Sequence, residues 1–461
     1  MNSYTNNHAN AEKFQELIKY SQESMGHFHV PGLALGLLVN GQKYVAGLGV
    51  TSLESPQPAT PETVFQIASI TKTVTATGIF RLIERGKINL DDPVRKYIPN
   101  FRVQDKETSA RATIRHLLNH TGGWVGDFSI NTGEEDDALA LFVSKMADIP
   151  QVTPLGAFYA YNNASFNVAG RIIEILMDKP YEVAIRELVL DPLKLTGSFF
   201  FPSEAIKHRI ANGHYLKGNN VIPAHPWFID RGGAPCGGLG SDVHDLLRYA
   251  RFHMGDGTTQ EGVRLLTSGS LVQMQTPAIP TEEESWIGLN WFIKDIKGVR
   301  FISHSGSTDG QNSILLMAPE KKLAFAVLTN LEPGSLLCEE LKIWVLNHFL
   351  GIIEPERLQL RASPELLEEY FGRFSMPPAG DLFELLLTEG NFLMMHTLGD
   401  DSSSTGPASD PYPPMRLVLL APDRFMVTDG QFKGHKVEFL RKENGQIAWL
   451  RFDGRIAIRI N

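Results

Sequence analysis

The chain of 461 residues has little of several features that mark particular classes of protein. It contains only two cysteines, Cys236 and Cys338, which excludes a disulfide-rich scaffold and a cysteine-based zinc module. It has no excess of basic residues, because 43 Lys and Arg stand against 52 Asp and Glu, a formal net charge of -9. An acidic chain without a basic block is poorly suited to bind nucleic acid or an anionic membrane.

Long apolar runs are also missing. No segment approaches the ~18 consecutive apolar residues of a membrane-spanning helix. The first residues, MNSYTNNHANAEKF, have neither the basic nor the apolar part of a secretory signal. We therefore expect a cytoplasmic protein that does not interact with a membrane. The apolar fraction of 43% is ample for a core, and at about 150 residues per domain the length predicts two or three domains.

The first three quarters of the chain have strands at both ends and helices between them. LALGLLV and QKYVAGLGV flank Asn40-Gly41, a strong hairpin signal because both residues tolerate positive φ. Helical periodicity follows in RATIRHLLNH, FNVAGRIIEILM and DVHDLLRYARFHM, and strands return in VRFISHSG, NSILLMAP and KLAFAVLTN. This order predicts an α+β fold, a three-layer α/β/α sandwich with an antiparallel sheet in which the two ends of the unit meet.

The pattern changes after residue 352. Short alternating runs are separated by Gly, Asn and Asp turns: FELLLT, FLMMHT, MRLVLL, RFMVTD, KVEFLR, QIAWLRF and RIAIRI. They predict a small antiparallel barrel or sandwich of roughly 100 residues, of which we take the barrel. We therefore divide the chain into an α+β domain, residues 1–352, and a C-terminal barrel, residues 353–461, with a flexible polar loop over 399–414. At the other end, residues 1–12 are expected to be a polar tail before a helix from about Glu12 to Met25.

The strongest chemical signal is Ser69-Ile70-Thr71-Lys72, the one S-x-x-K of the chain, where a predicted strand enters a predicted helix. Positions i and i+3 share a helix face, so the ammonium can reach the hydroxyl. The start of a helix adds positive potential and free N–H groups. A serine hydroxyl is a weak nucleophile that needs such a neighbour to remove its proton. Taken alone, the motif is equally compatible with a surface serine and lysine.

Two further segments strengthen the case for nucleophilic catalysis. Tyr161-Asn162-Asn163 precedes the FNVAG helix, and a tyrosine phenol can move protons where cations lower its pKa from about 10. The alternative is a buried tyrosine followed by a turn of asparagines. His304-Ser305-Gly306-Ser307 ends a predicted strand, and a glycine there allows a ligand or a backbone to approach the strand edge closely.

Together these segments resemble the serine β-lactamase and penicillin-binding-protein superfamily, in particular the group of class C β-lactamases, D-Ala-D-Ala carboxypeptidases, D-aminopeptidases and related esterases. S-x-x-K belongs there with S-D-N and K-T-G as companions, neither of which occurs in this chain. Tyr161-Asn162-Asn163 matches the Y-x-N of class C-like members, and His304-Ser305-Gly306 is similar to the H-x-G of several peptidases. TIRHLLNHTGGW and GGAPCGGLGSDVHDLLRYARF are also similar to family segments, so the resemblance covers about residues 15–350.

The resemblance implies an acyl-enzyme mechanism. Ser69 would attack a carbonyl, while Lys72 and Tyr161 share the work of the general base. Tyr161 would then protonate the leaving group. Asn163 would orient Lys72 and the amide of the acyl group.

The resemblance also implies how the substrate is held. The backbone N–H groups of Ser69 and Ser307 would form the oxyanion hole, aimed at the developing negative charge. His304 would bind a substrate carboxylate or complete the proton network, and Gly306 would give the strand its close approach. Trp124, directly after two glycines, is expected either to line the substrate cleft or to pack in the core.

The fold and function implied in this way are a β-lactamase-like sandwich with a lipocalin-like barrel, acting as a serine peptidase or amidase. The substrates would be small peptides or amino-acid amides, including D-configured ones, and no cofactor or metal is expected. The alternatives are a carboxylesterase or lactonase, a β-lactamase, and a non-catalytic binding protein of the same fold. The barrel is expected to narrow access to the cleft or to mediate self-association into a homo-oligomer.

Competing sites have weaker signals. His116 and His120 are four residues apart and would face one metal from a helix, but H-E-x-x-H and a third ligand are missing. We therefore interpret them as a structural pair near a turn. Cys236 in APCGGLG has no catalytic signature around it, which favours a small buried residue.

Overall fold

A computed structural model of the chain describes residues 2–225, 229–282, 285–354, 358–360, 362–377, 381–388, 392–398, 413–430 and 432–460. The α-helices within these residues are α1 (Asn2–Phe28), α2 (Thr71–Glu84), α3 (Lys106–Arg111), α4 (Ile114–Leu118), α5 (Ala138–Ser144), α6 (Asn163–Met177), α7 (Tyr181–Ile185), α8 (Pro202–Ala205), α9 (Ala234–Gly237), α10 (Val243–His253), α11 (Ser268–Met274), α12 (Gly334–Leu350) and α13 (Pro364–Glu368).

The strands up to α12 are β1 (Gly32–Val39), β2 (Gln42–Gly49), β3 (Phe65–Gln66), β4 (His214–Lys217), β5 (Asn220–Pro223), β6 (Gly240–Ser241), β7 (Ile279–Glu282), β8 (Ser285–Ile287), β9 (Phe292–Ile296), β10 (Val299–Thr308), β11 (Gln311–Ala318) and β12 (Leu323–Thr329). Those after α12 are β13 (Gly372–Met376), β14 (Asp381–Thr388), β15 (Phe392–Leu398), β16 (Met415–Ala421), β17 (Arg424–Val427), β18 (Lys436–Arg441), β19 (Ile447–Phe452) and β20 (Arg455–Ile460).

The elements from α1 to α12, here called the α+β unit, contain one large antiparallel sheet in the order β2-β1-β12-β11-β10-β9-β8-β7. Because β1 pairs with β12, the two ends of the unit meet in the sheet, which confirms the prediction. The predicted hairpin is also confirmed, since Asn40 and Gly41 join β1 to β2 with φ of 50° and 85°.

The sheet has helices on both faces because its strands alternate between two apolar clusters. On β1, Leu33, Leu35 and Leu37 pack with residues of α1 and α12, whereas Ala34 and Leu38 face the cluster that contains α2 and α10. Each leucine removed from water contributes roughly 1.5–3 kcal/mol. A slip of one residue would exchange the two sets of side chains, so the register is strongly specified.

The elements β13 to β20 form a closed barrel, here called the barrel, in which each strand pairs with its neighbour in sequence. Closure comes from the pairing of β13 with β20. Alternate side chains fill the interior, and Phe374, Leu385, Phe425 and Leu450 are fully buried. The predicted barrel is therefore confirmed. The polar loop expected over 399–414 lies, apart from residues 413 and 414, outside the described residues.

The expected polar tail was wrong, because α1 already begins at Asn2. The anchor of this helix lies further on, where Phe14, Leu17 and Met25 are buried beneath the sheet. Once such a helix is nucleated, each added residue gains one hydrogen bond, so the helix can extend through a polar sequence.

Helix α2 is buried on nearly all sides although it is rich in threonine. β-Branched residues are only moderate helix formers, and a buried hydroxyl needs a partner. The hydroxyls find their partners within the helix, since Thr73, Thr75 and Thr77 donate to the backbone carbonyls of Ile70, Thr71 and Thr73. The helix that carries Lys72 is therefore a fully satisfied element of the core.

Candidate active site

The predicted nucleophile lies in a buried turn between β3 and α2. Ala68–Ile70 form one turn of 3₁₀-helix, and α2 begins at the next residue. Lys72 Nζ lies 3.0 Å from Ser69 Oγ and donates at 2.7 Å to the carbonyl oxygen of Cys236. The Lys72 side chain is fully buried, whereas Ser69 opens onto a cleft. The ammonium is thus held against the hydroxyl from inside the core.

The backbone around Ser69 is fixed by the sheet. Ser313 Oγ on β11 donates to the carbonyl of Ile67 at 2.9 Å. Ala68 has a φ of 45°, a left-handed conformation that is unfavourable for a residue with a side chain. Such strain costs on the order of 1–3 kcal/mol and persists where the surroundings impose it.

Gly306 allows strand β10 to approach this turn. A Cβ built on it would lie 2.1 Å from the carbonyl oxygen of Ile67 and 3.0 Å from the backbone nitrogen of Ser69. Any side chain here would therefore displace the turn. The next residue, Ser307, lines the cleft together with Ser69, so the two predicted oxyanion donors belong to backbones that approach each other at Gly306.

Tyr161 lies directly beside this pair. Its ring centroid is 4.9 Å from Lys72 Nζ. The His120 ring stacks on it at 4.7 Å with 19° between the planes. The guanidinium carbon of Arg455, from the barrel, is 4.8 Å from the same centroid. The structure therefore brings Ser69, Lys72 and Tyr161 together, as the sequence predicts, and adds two residues that it did not predict.

His120 supports Tyr161 as a buried neutral ring. Its Nδ1 accepts the N–H of Asn162 at 2.9 Å, so Nε2 carries the proton and donates to Asn290 Oδ1 at 3.1 Å. Burial, and then the charge of Lys72, lower the pKa of His120 well below its ordinary value. The ring is thus fixed in one tautomer and one orientation.

The two histidines considered as metal ligands face different surroundings. The His116 Nδ1 accepts the N–H of Thr113 at 3.1 Å and caps α4, whereas His120 packs under Tyr161. Among the described residues, no group of three His, Cys, Asp or Glu side chains is placed to hold a metal ion.

His304 is closed off from the cleft. It is 2% exposed and packs edge-on against Phe292 at 5.3 Å. Its Nδ1–H donates to the carbonyl of Ser305 at 2.6 Å. Burial, with a further contribution from Lys72, lowers the pKa of His304 to about 3. The enclosed ring near Lys72 favours a part in the proton network over binding of a substrate carboxylate, and the role of His304 stays a prediction.

Asn163 and Trp124 lie in different surroundings, and Trp124 takes the second of its two expected positions, in the core. Asn163 Nδ2 donates to Asp127 Oδ1 at 2.7 Å, and the carbonyl of Cys236 takes the place of Asn163 as the partner of Lys72. Asn163 still lines the cleft. Trp124 is 1% exposed and meets Phe101 edge-on at 5.9 Å. It is a core residue, not a wall of the cleft.

Ser69 lies in a cleft of about 570 Å³ between the α+β unit and the barrel. Its walls combine aromatic and aliphatic side chains with polar and charged ones, which include Asp127, Asp230 and Arg455. The barrel contributes one side of the wall: Met376, Pro377, Phe383, Phe452, Asp453 and Arg455. Barrel residues thus line the same cleft as Ser69, which is compatible with the expectation that the barrel narrows access to it.

Comparison with known proteins identifies the family. Residues 17–341 match the family model described as Beta-lactamase. The chain belongs to this family, within the serine β-lactamase and penicillin-binding-protein superfamily. It is 32% identical over 348 residues to Penicillin-binding protein 4 of Amycolatopsis lactamdurans, an alignment that covers 74% of this chain and 91% of the relative.

Two solved structures are similar over nearly the whole chain, barrel included. SurE with D-Leu is 22% identical with a TM-score of 0.75, over 98% of this chain and 100% of that one. The octameric penicillin-binding protein homologue from Pyrococcus abyssi is 26% identical with a TM-score of 0.65, over 97% and 100%. Both confirm the predicted combination of sandwich and barrel. Within the part of the chain that the structure describes, no helix is long and apolar enough to span a membrane.

Proposed function

We propose that this protein is a serine hydrolase that cleaves small peptides or amino-acid amides, including D-configured ones, through an acyl-enzyme on Ser69. The observation that carries the proposal is the 3.0 Å contact between Lys72 Nζ and Ser69 Oγ at a cleft. The Tyr161 ring is 4.9 Å from the same ammonium. Once the Lys72–Tyr161 pair has lost one proton, it can accept the proton of the Ser69 hydroxyl, which acyl transfer requires.

The reaction would proceed in two steps. Ser69 Oγ attacks the carbonyl carbon while its proton passes to the Lys72–Tyr161 pair, and the carbonyl π electrons move to oxygen. The backbone N–H groups of Ser69 and Ser307 stabilise this oxyanion, where one donor is typically worth ~10²–10³ in rate. The C–N bond then breaks, and Tyr161 returns the proton to the leaving amine. Water deacylates the serine by the same route in reverse.

The substrate class is proposed from three observations. The aromatic residues of the cleft, Phe128, Phe142 and Phe452, suit an aliphatic or aromatic side chain of a substrate. The similarity to Penicillin-binding protein 4 and the D-Leu held by SurE motivate D-configured amides. His304-Ser305-Gly306 provides no cation, because a neutral, buried His304 stands where K-T-G has its lysine. The last observation disfavours β-lactam hydrolysis.

Ester hydrolysis is the second candidate. The enclosed position of His304 is a reason against its binding a substrate carboxylate. A short acyl ester or lactone without a carboxylate would therefore fit Ser69 and its oxyanion donors equally well.

The experiment is a substrate panel with the full-length protein. It contains D- and L-leucine amides, the corresponding p-nitroanilides, p-nitrophenyl acetate and butyrate, and a chromogenic cephalosporin, each with the parent and Ser69→Ala. We expect turnover of an amide or ester substrate that Ser69→Ala abolishes. Activity that survives in Ser69→Ala would contradict the proposal, and turnover of the esters without turnover of any amide or anilide would favour the second candidate.

We also propose self-association, because the similar Pyrococcus abyssi homologue is octameric. Light scattering of the purified full-length protein tests this directly. A mass of one chain, 51.2 kDa, at micromolar concentration would contradict it.

A further inference from the structure

A tight turn of the barrel reaches the backbone of Tyr161. Asp453 and Gly454 join β19 to β20, and the flanking residues Phe452 and Arg455 are paired. The φ values of 49° and 73° at the two turn residues are those of the turn that fits the twist of a hairpin. The carbonyl of Gly454 accepts the N–H of Tyr161 at 2.8 Å.

The turn approaches this closely because it has no side chain at Gly454. A Cβ built there would lie 3.2 Å from the Tyr159 hydroxyl oxygen and 3.4 Å from Tyr161 Cβ. The turn thus lies directly on the segment that leads into α6.

Two further barrel residues hold the same segment. Arg451 Nη1 donates to the carbonyl of Tyr159 at 3.1 Å, and Trp449 Nε1 donates to the carbonyl of Val152 at 2.8 Å. Arg451 is itself fixed by Glu438, whose Oε2 accepts from its Nε at 2.7 Å. Residues 152–161 are therefore held by β19 and its turn over much of their length.

Arg455 then brings a cation to the Tyr161 ring. Its guanidinium carbon is 4.8 Å from the ring centroid. Nε donates to Asp127 Oδ2 at 2.9 Å, and Nη1 donates to the carbonyl of Asp453 at 3.0 Å. Burial would lower the pKa of Arg455, but the Asp127 and Asp453 carboxylates raise it above its ordinary value. The residue therefore stays cationic, with its head held from both sides of the cleft.

We propose that the barrel is part of the active site, and that Arg455 is a positioning residue for Tyr161. The cation fixes the ring beside Lys72 and stabilises negative charge on the phenol oxygen when the proton has left it. This inference rests on the proposed function, because it assigns Arg455 a role in the proton transfer there. It also explains why a barrel distant in sequence lines the cleft.

The charged groups around the Tyr161 ring determine how the reaction rate should depend on pH. The charged and titratable ones are Lys72 on α2, His120 after α4, Tyr159 in the same segment, Asp127, Asp453, Arg455, and His304 on β10. His120 and His304 are neutral, so Lys72 and Arg455 are the cations that contact the ring among the described residues. Removing one should move the acid limb of the rate profile to higher pH.

The test measures the second-order rate of Ser69 acylation by a fluorophosphonate probe from pH 5 to 9, with full-length protein. Arg455→Gln removes the cation, and Arg455→Lys retains it. Arg373→Gln is the matched control, because it makes the same change on the same barrel at an exposed pair with Glu384. We expect Arg455→Gln to react at least tenfold more slowly at pH 7, with its acid limb at higher pH. Arg455→Lys should recover most of the rate, and Arg373→Gln should match the parent.

Several results would overturn the inference. One is a parental rate and pH profile in Arg455→Gln, and another is an equal loss in Arg373→Gln, which would show a general effect on the barrel. If Arg455→Gln lowers the melting temperature by more than a few degrees, Asp127→Asn provides the second test. That variant releases the guanidinium from its carboxylate and should slow acylation several-fold, so a parental rate in it would overturn the inference. Failure of the parent itself to label on Ser69 would instead refute the proposed function.

Discussion

Arg455 of the barrel and Tyr161 of the α+β unit lie in contact, with the guanidinium carbon 4.8 Å from the ring centroid. The backbone repeats this relationship, since the N–H of Tyr161 donates to the residue that precedes Arg455. The proton-transfer side of the candidate site is therefore built from both the α+β unit and the barrel. A substitution in the barrel turn should therefore change the rate of Ser69 acylation.

Gly454→Ala should slow acylation as well as lower stability. Its positive φ of 73° costs about 1 kcal/mol for alanine, and the added Cβ would crowd the Tyr159 hydroxyl at 3.2 Å. Gly445→Ala is the control, because that turn has a φ of 84° and open space around the added Cβ. Urea unfolding should show similar losses of stability, whereas the fluorophosphonate rate should fall only in Gly454→Ala. Equal rates in the two variants would contradict this.

Ser69→Ala should remove essentially all turnover. Losing the nucleophile of a serine hydrolase typically costs on the order of 10⁶ in kcat. The hydroxyl contributes little packing, so the free energy of unfolding should change by less than ~1 kcal/mol. Ser305→Ala, an exposed serine on β10, should keep parental kinetics. Activity of Ser69→Ala within tenfold of the parent would be incompatible with the assignment.

Lys72→Ala and Tyr161→Phe should each lower kcat far more than they change KM. Both groups serve one proton transfer, since the ammonium lies 4.9 Å from the ring centroid. The double variant should therefore lose little more than the worse single variant. Steady-state kinetics on the best substrate of the panel measure this cycle. Losses that add in the double variant would show that the two residues act separately.

Gly306→Ala should disrupt the site through the backbone. The added Cβ would lie 2.1 Å from the carbonyl of Ile67 and 3.0 Å from the amide of Ser69, so β10 or the nucleophile turn must move. We expect acylation to fall by at least a hundredfold, with a loss of stability of ~2 kcal/mol or more. Gly26→Ala, in helix α1 with nothing near its added Cβ, should leave acylation unchanged and should not lower stability. Parental acylation in Gly306→Ala would show that this approach is not required.

His304 should make the free energy of unfolding depend on pH in the acid range. Its pKa is lowered to about 3 in the fold and is about 6.5 when unfolded. The unfolded state therefore binds one more proton between these values, and stability falls as the pH decreases from about 6.5, by ~1.4 kcal/mol per unit for one proton.

The comparison must be made between parent and His304→Gln. Asp245, whose pKa is raised to about 7 by burial and by Asp242, contributes a slope of opposite sign in both proteins. Urea unfolding at pH 4 to 7 should therefore show a shallower loss of stability towards acid in His304→Gln. Identical slopes would contradict a buried neutral histidine.

The fold was predictable where local signals and periodicity agree. Asn40-Gly41 predicted the first hairpin, and the alternating runs from residue 383 onward predicted the barrel, because both depend on short-range rules. The first barrel strand, β13 (Gly372–Met376), was not among these runs. The meeting of β1 with β12 followed from the order of elements. The extent of α1 was not predictable, since polar residues that extend a helix carry no periodic signal.

In the candidate site, only the side chains that belong to motifs were predictable from the sequence. Ser69, Lys72 and Tyr161 were found by their motifs. The carbonyl of Cys236, which fixes Lys72, belongs to the backbone and leaves no signal in residue types. The burial of Trp124 and His304 depends on packing between distant segments, as does the contact of Arg455 with Tyr161. Only the Asp453-Gly454 hairpin signal marked the turn that makes this contact.

The central claim, an acyl-enzyme on Ser69 activated by Lys72, is tested most directly by mass spectrometry of the intact protein after reaction with a fluorophosphonate probe. The account predicts one added probe mass per chain, mapped by proteolysis to the peptide that contains Ser69. It predicts no addition in Ser69→Ala and a much slower addition in Lys72→Ala. An unmodified parent, or a parent modified equally well when Ser69 is alanine, would contradict it.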